Sequence, residues 1–429
     1  MNPYIEYRKH LDVYHYAQQQ GVSDSDYVKL VEELDSQVAA LWGSGFSQTP
    51  LIDLQLDSVE QSGPVVGSVL AKVETGNVSG SHKARHLFGL VIRHAIDHTD
   101  RANQPLAIAS CGNAALAAAV VAGATGYDLQ VFVPESADPA VLEQLDRFGA
   151  HINVCSRAPG VDGDPCLATM LERVDAGAEA FTVQGPICPD SIDGARTLGL
   201  ELVAQLDERE VWPDHIWIQI GGGALATAVL DGLARAINDP GRTGGTGEAP
   251  GRADRRLPRL HPVQARSAHP YIAGWQRISA VLYERFEVSA EAPPADQAQQ
   301  LAEAVAAAAA EGGQPVAAYL SVLLEEQAAL MTTWPGEPHS VASGILDDLT
   351  YDWRTVMAHQ IATGGWPVSV DESTFVNAAK AVEAQATPPP DETGAAGLAG
   401  LLHAAQAASF DRSALHVVLL TGMRRSSTP

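Results

Sequence analysis

One lysine lies in a stretch of small residues that suits it to covalent chemistry. Lys83 ends the lysine loop, Gly76–Lys83, which follows an apolar run typical of a strand. A lysine that attacks a carbonyl carbon must first lose its proton, and a tight turn near other positive groups lowers the lysine pKa. The chain has only five lysines, so few residues can form an imine. A glycine-rich surface loop with a solvated lysine has the same composition, and this stretch alone leaves both interpretations open.

Two further loops combine small residues with exposed backbone N–H groups. The triple-glycine loop, Gly221–Leu225, joins a predicted strand to a predicted helix, where free N–H groups meet the positive end of the helix dipole. This predicts a phosphate site, although a tight structural turn needs the same glycines. It is not a Walker loop, because no GK[ST] follows, and it lacks the G-x-G-x-x-G dinucleotide spacing. The asparagine loop, Ser110–Asn113, is a similar turn that could bind a carboxylate or a phenolate.

A hydroxyl group lies close to the end of the chain. Thr421 directly follows the apolar run Leu415–Leu420, whose composition predicts a buried strand. At such a strand end, a threonine hydroxyl can hydrogen-bond a bound heterocycle or simply cap the next turn. This residue alone does not decide between the two roles.

The segments between these loops alternate between strand and helix. Predicted strands cover Leu106–Ser110, Leu129–Pro134 and His215–Ile220, and a helix pattern follows each of them. Such alternation implies a parallel sheet, so the sequence predicts an α/β fold with two domains. The first 48 or so residues instead favour a helical extension. The other predicted elements are a strand at 65–73, a turn and strand within 149–154, and helices at 83–95, 141–148, 191–206 and 296–312.

Composition and charge exclude several classes of protein. The 429 residues are 46% hydrophobic and 18% charged, which predicts a sizeable core and excludes a disordered chain. The net charge of -25 argues against nucleic acid and anionic membrane surfaces as partners, because their phosphates would repel the protein. The four cysteines lack C-x-x-C spacing and are expected to be reduced thiols. Since no apolar run has the length of a signal or a membrane span, we expect a cytoplasmic protein.

The order of the loops resembles that of the fold-type II pyridoxal-phosphate enzymes, the superfamily of tryptophan synthase β, threonine synthase, serine/threonine dehydratases and cysteine synthase. The resemblance covers roughly residues 49–424. Its landmarks are Thr49-Pro-Leu51, Lys72-Val-Glu74, Gly80-Ser-His-Lys-Ala-Arg85, Ala109–Asn113, Val131–Pro134, Gly149-Ala150, Gly194–Thr197, Gly221–Leu225, Ser340–Ile345, Gly394–Gly397 and Thr421-Gly422. It implies a two-domain α/β fold, with parallel sheets flanked by helices and pyridoxal 5′-phosphate in the interdomain cleft.

The resemblance also implies a role for each loop. Lys83 would form an imine with the cofactor and later move the substrate α-proton. Thr421 would face the pyridine nitrogen, and because a hydroxyl cannot keep that nitrogen protonated as a carboxylate can, elimination is favoured over transamination. The implied cofactor-binding residues are Lys83, Asn113, Gly221, Gly222, Gly223, Ala224, Leu225 and Thr421. The implied substrate-binding residues are Ser110, Cys111, Gly112 and Asn113, with Arg85 as a further candidate.

Other residues fit different branches of the superfamily. Ser340–Ile345 and Thr421-Gly422 look like threonine synthase, whereas Lys83-Ala-Arg85 looks like the K-x-R of the dehydratases. His82 replaces the usual Phe, as in tryptophan synthase β, and could approach the cofactor phosphate or pack as a structural histidine. Cys111 could tune substrate size or only fill space. Three acidic residues could bind a cation, although a solvated loop face is preferred and no metal is predicted; they are Asp347, Asp348 and Asp352.

The sequence therefore predicts a pyridoxal-phosphate-dependent lyase that carries out β-elimination, or elimination followed by replacement, on a small hydroxy or substituted-hydroxy amino acid. γ-Replacement on a phosphorylated homoserine is the second hypothesis, and it would need an anion site for which Arg85 is the candidate. A degenerate binding or regulatory subunit is the third. We expect a homodimer, with a large cofactor domain at residues 49–84 and 188–429, an insertion near 238–258, and a small substrate domain at 85–187.

Overall fold

A computed structural model of the chain describes residues 1–56, 66–97, 104–156, 164–239, 255–336, 338–407 and 410–425. The chain divides into two compact units. The first unit contains residues 1–49, 76–201 and 425–429, and the second contains residues 50–75 and 202–424. Most of the insertion predicted near 238–258, residues 240–254, lies outside the described part. The division into a cofactor domain and a substrate domain stays a prediction.

Helices and strands alternate along most of the described chain. The strands are β1 (Leu51–Asp53), β2 (Ser68–Val73), β3 (Leu106–Ala109), β4 (Leu129–Pro134), β5 (His151–Cys155), β6 (Glu179–Ala180), β7 (His215–Gln219), β8 (Arg259–Ala265), β9 (Val368–Val370) and β10 (Leu415–Leu420). The α-helices are α1 (Pro3–Glu6), α2 (Asp12–Gln19), α3 (Asp24–Trp42), α4 (Lys83–Ile96), α5 (Asn113–Thr125), α6 (Pro139–Arg147), α7 (Pro165–Asp175), α8 (Ser191–Glu208), α9 (Ala224–Ile237), α10 (Pro270–Arg285), α11 (Pro294–Glu311), α12 (Val316–Glu325), α13 (Trp353–Thr363), α14 (Glu372–Val382) and α15 (Ala396–Ala404).

The first unit contains a four-stranded parallel sheet in the order β5-β4-β3-β6. The central strands are apolar and largely buried, as expected where helices cover both faces of a parallel sheet. α5 begins at Asn113 and is rich in alanine and valine, so it is apolar on all sides and almost wholly buried. The asparagine loop therefore joins the carboxyl end of β3 to the start of a core helix.

The second unit contains a six-stranded sheet in the order β1-β2-β10-β7-β8-β9. β1 pairs antiparallel with β2, and the other neighbours are parallel. β10 lies between β2 and β7, and the register pairs Val418 with Trp217. Because the two strands run in the same direction, Thr421 and the triple-glycine loop both follow the carboxyl edge of this sheet.

The α/β class and the parallel sheets predicted from the sequence are confirmed. The strands at 129–134 and 415–420 have the predicted bounds, and the predicted helices at 191–206 and 296–312 appear as α8 and α11 within two residues at each end. The predicted strand at 65–73 begins at Ser68; Val65 lies outside the described residues. The sequence predicted no element at the positions of α7, α10, α12, α13, α14, α15, β1, β6, β8 and β9.

Candidate active-site loops

The lysine loop holds Lys83 at the first residue of α4. Asn77 begins a short 3-10 turn, Val78–Gly80, in which Ser79 has a φ of 59° and Gly80 a φ of 71°. A serine in the left-handed region is strained, which is common where a backbone is held for function. The hydroxyls of Ser79 and Ser81 are buried, and no partner for them is found among the described residues. Buried hydroxyls of this kind fit a site that receives a polar ligand.

His86 lies one helical turn beyond Lys83 and was not singled out from the sequence. Burial, with the positive charge of Lys83 as a second cause, lowers the pKa of His86 to about 3. Its Nδ1 lies 2.9 Å from the Ser191 carbonyl oxygen, which can only accept, so Nδ1 carries the proton. Nε2 is then a lone-pair acceptor, buried with no partner among the described residues. A histidine three residues after a candidate lysine was the signal available in the sequence.

His82 is also buried, and its ring centroid lies 5.9 Å from that of His86 in an edge-to-face arrangement. This packing is compatible with the structural interpretation of His82. Its approach to a cofactor phosphate stays a prediction.

Arg85 points into the core of the first unit. Its guanidinium forms a bidentate ion pair with Glu201, with Nη1–Oε1 and Nη2–Oε2 distances of 2.8 Å and 3.0 Å, and both side chains are fully buried. It also donates to the hydroxyls of Thr197 and Thr49 at 3.0 Å and 3.2 Å. A buried charge paired in this way holds secondary structure together. The predicted role of Arg85 in binding a substrate anion therefore finds no support in this geometry.

The asparagine loop turns from β3 into α5. The Gly112 N–H donates to the Ser110 hydroxyl at 3.4 Å, and Gly112 is the N-cap residue of α5 with no side-chain cap. N–H groups at the start of this 13-residue helix therefore suit a bound carboxylate. The Cys111 side chain is exposed. An arginine from the end of the chain, Arg425, donates from Nη2 to Asn113 Oδ1 at 3.0 Å and to the Ser79 carbonyl oxygen at 2.8 Å.

The triple-glycine loop has the features of an anion site. Gly223 is the N-cap residue of α9, with a left-handed φ of 100° and no side-chain cap. The first N–H groups of the 14-residue helix α9 and its positive dipole end therefore lie at this loop. The glycines also have a packing role, because a side chain at Gly221 would collide with the Asp347 carboxylate. A Cβ atom at Gly222 would lie 3.0 Å from the Tyr351 ring.

The acidic residues predicted to form a solvated loop face lie partly against this loop. Asp352 donates its backbone N–H to the Gly222 carbonyl oxygen at 2.7 Å. The Asp347 carboxylate lies beside Gly221, where its negative charge opposes a bound phosphate. Within the described residues, no group of three or more His, Cys, Asp or Glu side chains is arranged to hold a metal ion.

Thr421 is almost wholly buried at the end of β10. Its hydroxyl accepts a hydrogen bond of 2.6 Å from Nε2 of Gln219, the last residue of β7. Sequence reasoning missed Gln219, although the residue lies just before the triple-glycine loop.

The chemical groups in these loops are of the types that bind pyridoxal phosphate. The first unit supplies an amine at Lys83, an amide at Asn113 and the buried hydroxyls of the lysine loop. The second supplies an uncapped helix N-terminus at Gly223 and a neutral hydroxyl at Thr421. Asp347 is the group that opposes the cofactor. Each unit, taken by itself, therefore contains residues whose chemistry fits this cofactor. None of the helices within the described ranges is long and apolar enough to cross a membrane.

Comparison with known proteins gives a family match over more than half of the chain. The family described as "Pyridoxal-phosphate dependent enzyme" matches residues 44–299. Cysteine synthase B of Pseudomonas aeruginosa is 28% identical over 129 residues, which are 30% of this chain and 42% of that protein. L-serine dehydratase of Saccharomyces cerevisiae is 25% identical over 198 residues, which are 44% of this chain and 57% of that protein. The chain thus spans about half the length of these curated relatives.

Among solved structures, the processed form of threonine deaminase isoform 2 from Solanum lycopersicum is similar with a TM-score of 0.60 and 13% identity, over 95% of this chain and 92% of that one. At this identity the likeness shows the fold.

Proposed function

Because the chain belongs to the family of pyridoxal-phosphate-dependent enzymes, we propose that it catalyses β-elimination, or elimination followed by replacement, on a small hydroxy or substituted-hydroxy amino acid. The single observation that carries this reaction class is the neutral hydroxyl of Thr421 at the end of β10. A hydroxyl donates a hydrogen bond to a ring nitrogen without protonating it, which favours prompt loss of a leaving group over transamination. The names of the relatives, which include a serine dehydratase and a threonine deaminase, support the same class.

Each loop has a proposed role in binding or proton transfer. When bound, the cofactor withdraws electrons from the substrate α-carbon and so acidifies its hydrogen. Lys83 holds the cofactor covalently and, once released from it, accepts the α-proton at Nζ. N–H groups of the triple-glycine loop bind the phosphate, and Asn113 contacts the ring 3′-oxygen. The asparagine loop, including Ser110, Cys111 and Gly112, binds the substrate carboxylate.

The threonine-synthase-like alternative, γ-replacement on a phosphorylated homoserine, loses its candidate phosphate site. It required a cation for the substrate phosphate, and Arg85 is already paired with Glu201 in the core. The third alternative, a degenerate binding subunit, would have no turnover with any amino acid. β-Elimination therefore has the most support.

The proposal includes a cytoplasmic homodimer. Four free thiols, at Cys111, Cys155, Cys166 and Cys188, support a reducing compartment. Light scattering on the purified protein measures the oligomeric state, and a monomer mass would refute the dimer.

A screen of small amino acids tests the reaction. We expect release of a 2-oxo acid and ammonia from a β-hydroxy or β-substituted substrate. Phosphate release from phosphorylated homoserine, measured alongside, would instead support γ-replacement. No turnover of any substrate by cofactor-loaded protein would support the binding-subunit alternative.

The role of Lys83 is tested by chemical labelling. Borohydride should attach the cofactor covalently to the peptide that contains Lys83, and the purified protein should be yellow. Lys83→Ala should abolish both the labelling and turnover, whereas the exposed Lys380→Ala is the matched control and should retain them. Label on another lysine would overturn the assignment of the cofactor site.

A further inference from the structure

We infer that His86 is a positioning residue for Lys83, because its Nε2 accepts a hydrogen bond from the lysine amine and stabilises the protonated form of that amine. This inference rests on the proposed function, in which Lys83 holds the cofactor and later accepts the substrate α-proton. Both residues belong to the first unit, and the inference uses no contact outside that unit.

His86 lies over the first turn of α4, the helix that Lys83 begins. Side chains three residues apart share one face of a helix, and their Cβ atoms are about 5–6 Å apart. Helical side chains also lean towards the N-terminus, so the His86 ring covers the turn that carries Lys83. The ring of His82 lies 5.9 Å from that of His86, which agrees with this direction. Rotation of the flexible lysine stem therefore brings its amine to the His86 ring.

The tautomer of His86 makes Nε2 an acceptor. The single proton of the neutral ring lies on Nδ1, which donates to the Ser191 carbonyl oxygen at 2.9 Å. Nε2 is wholly buried, and it has no hydrogen-bond partner among the described residues. A buried acceptor that lacks a donor is unfavourable, so a group that donates to Nε2 would stabilise the site.

The charges around the His86 ring favour a cationic donor. Burial lowers the pKa of His86 to about 3, and the positive charges of Lys83 and Arg85 act in the same direction. The ring is therefore neutral at pH 7, and Nε2 presents a lone pair. An ionised phosphate or carboxylate has only acceptors and would be repelled by it. Of the two cations, Arg85 is held by Glu201 in the core, whereas Lys83 has the flexible stem.

A hydrogen bond from Lys83 to Nε2 would act on proton transfer. An acceptor that binds the charged form of an amine favours that form, so the amine holds a proton more firmly when Nε2 is present. In the proposed reaction the substrate α-proton moves to Nζ of Lys83, and His86 then stabilises the ammonium that results. The Nδ1 proton of His86 stays on its ring throughout, so no bond to hydrogen is made or broken there.

Two substitutions separate this role from packing. The NH₂ group of His86→Asn can still donate to the Ser191 carbonyl oxygen, but this variant has no acceptor at the position of Nε2. His86→Gln is longer and places an amide oxygen near that position, so it should restore the acceptor. The matched control is His94→Asn, which changes another buried histidine of α4 whose Nδ1 lies 3.3 Å from Glu179.

The readout is reductive methylation of Lys83 in the cofactor-free full chain, measured by mass spectrometry with the exposed Lys380 as internal reference. At pH 7 we expect labelling about tenfold faster or more in His86→Asn, as for one lost hydrogen bond to a charged group. His86→Gln and His94→Asn should label as the wild-type protein does. At high pH the amine is already unprotonated, so all four proteins should label at the same rate. A difference that persists there would reflect access to Lys83 and would overturn the inference.

The wild-type protein provides a measurement that needs no change at His86. With ¹⁵N-labelled histidine, the Nε2 signal should keep the shift of an unprotonated nitrogen and should move when the Lys83 amine loses its proton. Lys83→Ala should remove this movement. The same Nε2 titration in both proteins overturns the inference, as does equal labelling of Lys83 in the wild-type protein and His86→Asn.

Cofactor-loaded protein separates failure of this inference from failure of the proposed function. The pH at which turnover reaches half of its plateau should be lower in His86→Asn than in the wild-type protein and should return in His86→Gln. Borohydride should still attach the cofactor to Lys83 in both variants. Attachment to another lysine in the wild-type protein would refute the proposed function, whereas attachment to Lys83 with an unchanged pH profile in His86→Asn would refute only the role of His86.

Discussion

Three buried histidines in the second unit should make its stability depend on pH. His416, His215 and His261 lie on the adjacent strands β10, β7 and β8. The rings of His215 and His416 stack with centroids 5.1 Å apart, and His215 Nδ1 lies 2.8 Å from His261 Nε2. Burial, as the main cause, lowers the pKa of both His215 and His416 to about 4 and places that of His261 well below its usual value. All three rings are therefore neutral in the folded protein at pH 7.

The direction in which stability changes with pH follows from the histidine pKa values in the folded and unfolded states. An unfolded histidine takes up a proton near pH 6.5, whereas the rings of His215 and His416 do so only near pH 4, so the unfolded state binds more protons between the two values. Stability is therefore complete above pH 6.5 and is lost as the pH falls towards 4. The loss is about 3 kcal/mol for one ring and about twice that for two, a large part of the 5–15 kcal/mol typical of a folded domain.

Urea unfolding of the cofactor-free protein between pH 7.5 and 4.5, followed by tryptophan fluorescence, measures this loss without a contribution from cofactor binding. His416→Phe should remove about 3 kcal/mol of the pH-dependent change, because the new ring does not titrate and can stack on Phe410. The exposed His151→Gln is the control and should keep the wild-type slope. A wild-type slope in His416→Phe, or a flat profile for the wild-type protein, would refute the assignment of the pH effect to these rings.

Three further substitutions test the loops. Gly222→Asp adds a charge and a side chain beside the proposed phosphate site, so cofactor affinity should fall by about a hundredfold or more. The circular dichroism spectrum should stay unchanged. An unchanged affinity would mean that the loop is only a structural turn. Asp347→Asn removes the carboxylate beside Gly221 and should lower the cofactor dissociation constant by about fivefold, an effect that Asp348→Asn should not reproduce. Thr421→Asp should favour a protonated ring nitrogen, because a carboxylate stabilises the proton. Elimination should then slow, and more of the bound cofactor should be converted to its amine form. A wild-type spectrum and product ratio would show that Thr421 does not touch the ring.

The fold was largely predictable because short segments determine it. Runs such as Leu129–Pro134 and Leu415–Leu420 are apolar and bounded by turn residues, so their strand character needs no tertiary information. The strand order was not predictable in the same way. β10 is the last strand in the chain and yet lies between β2 and β7, and local patterns do not encode such a pairing.

Arg85 shows what sequence reasoning about a site leaves open. The K-x-R spacing correctly indicates that an arginine lies two residues beyond the lysine. It does not indicate where the guanidinium points, which here depends on Glu201 in α8 and on Thr49 near the start of the chain. A charge that is paired in the core is chemically different from the same charge on a pocket wall. Distant partners therefore decide which residues of a motif can reach a substrate.

For Thr421, the direction of its hydrogen bonds matters as well as the position of its side chain. The sequence predicts a hydroxyl at the end of a buried strand, and the inference to elimination depends on what that hydroxyl donates or accepts. Either direction is chemically possible for threonine. Nε2 of Gln219 donates to the Thr421 hydroxyl, and three carbonyl oxygens, from Thr393, Gly394 and Leu419, face the same NH₂ group. The reaction class proposed for this enzyme thus depends on the packing of strand ends and loops around Gln219 as much as on the identity of residue 421.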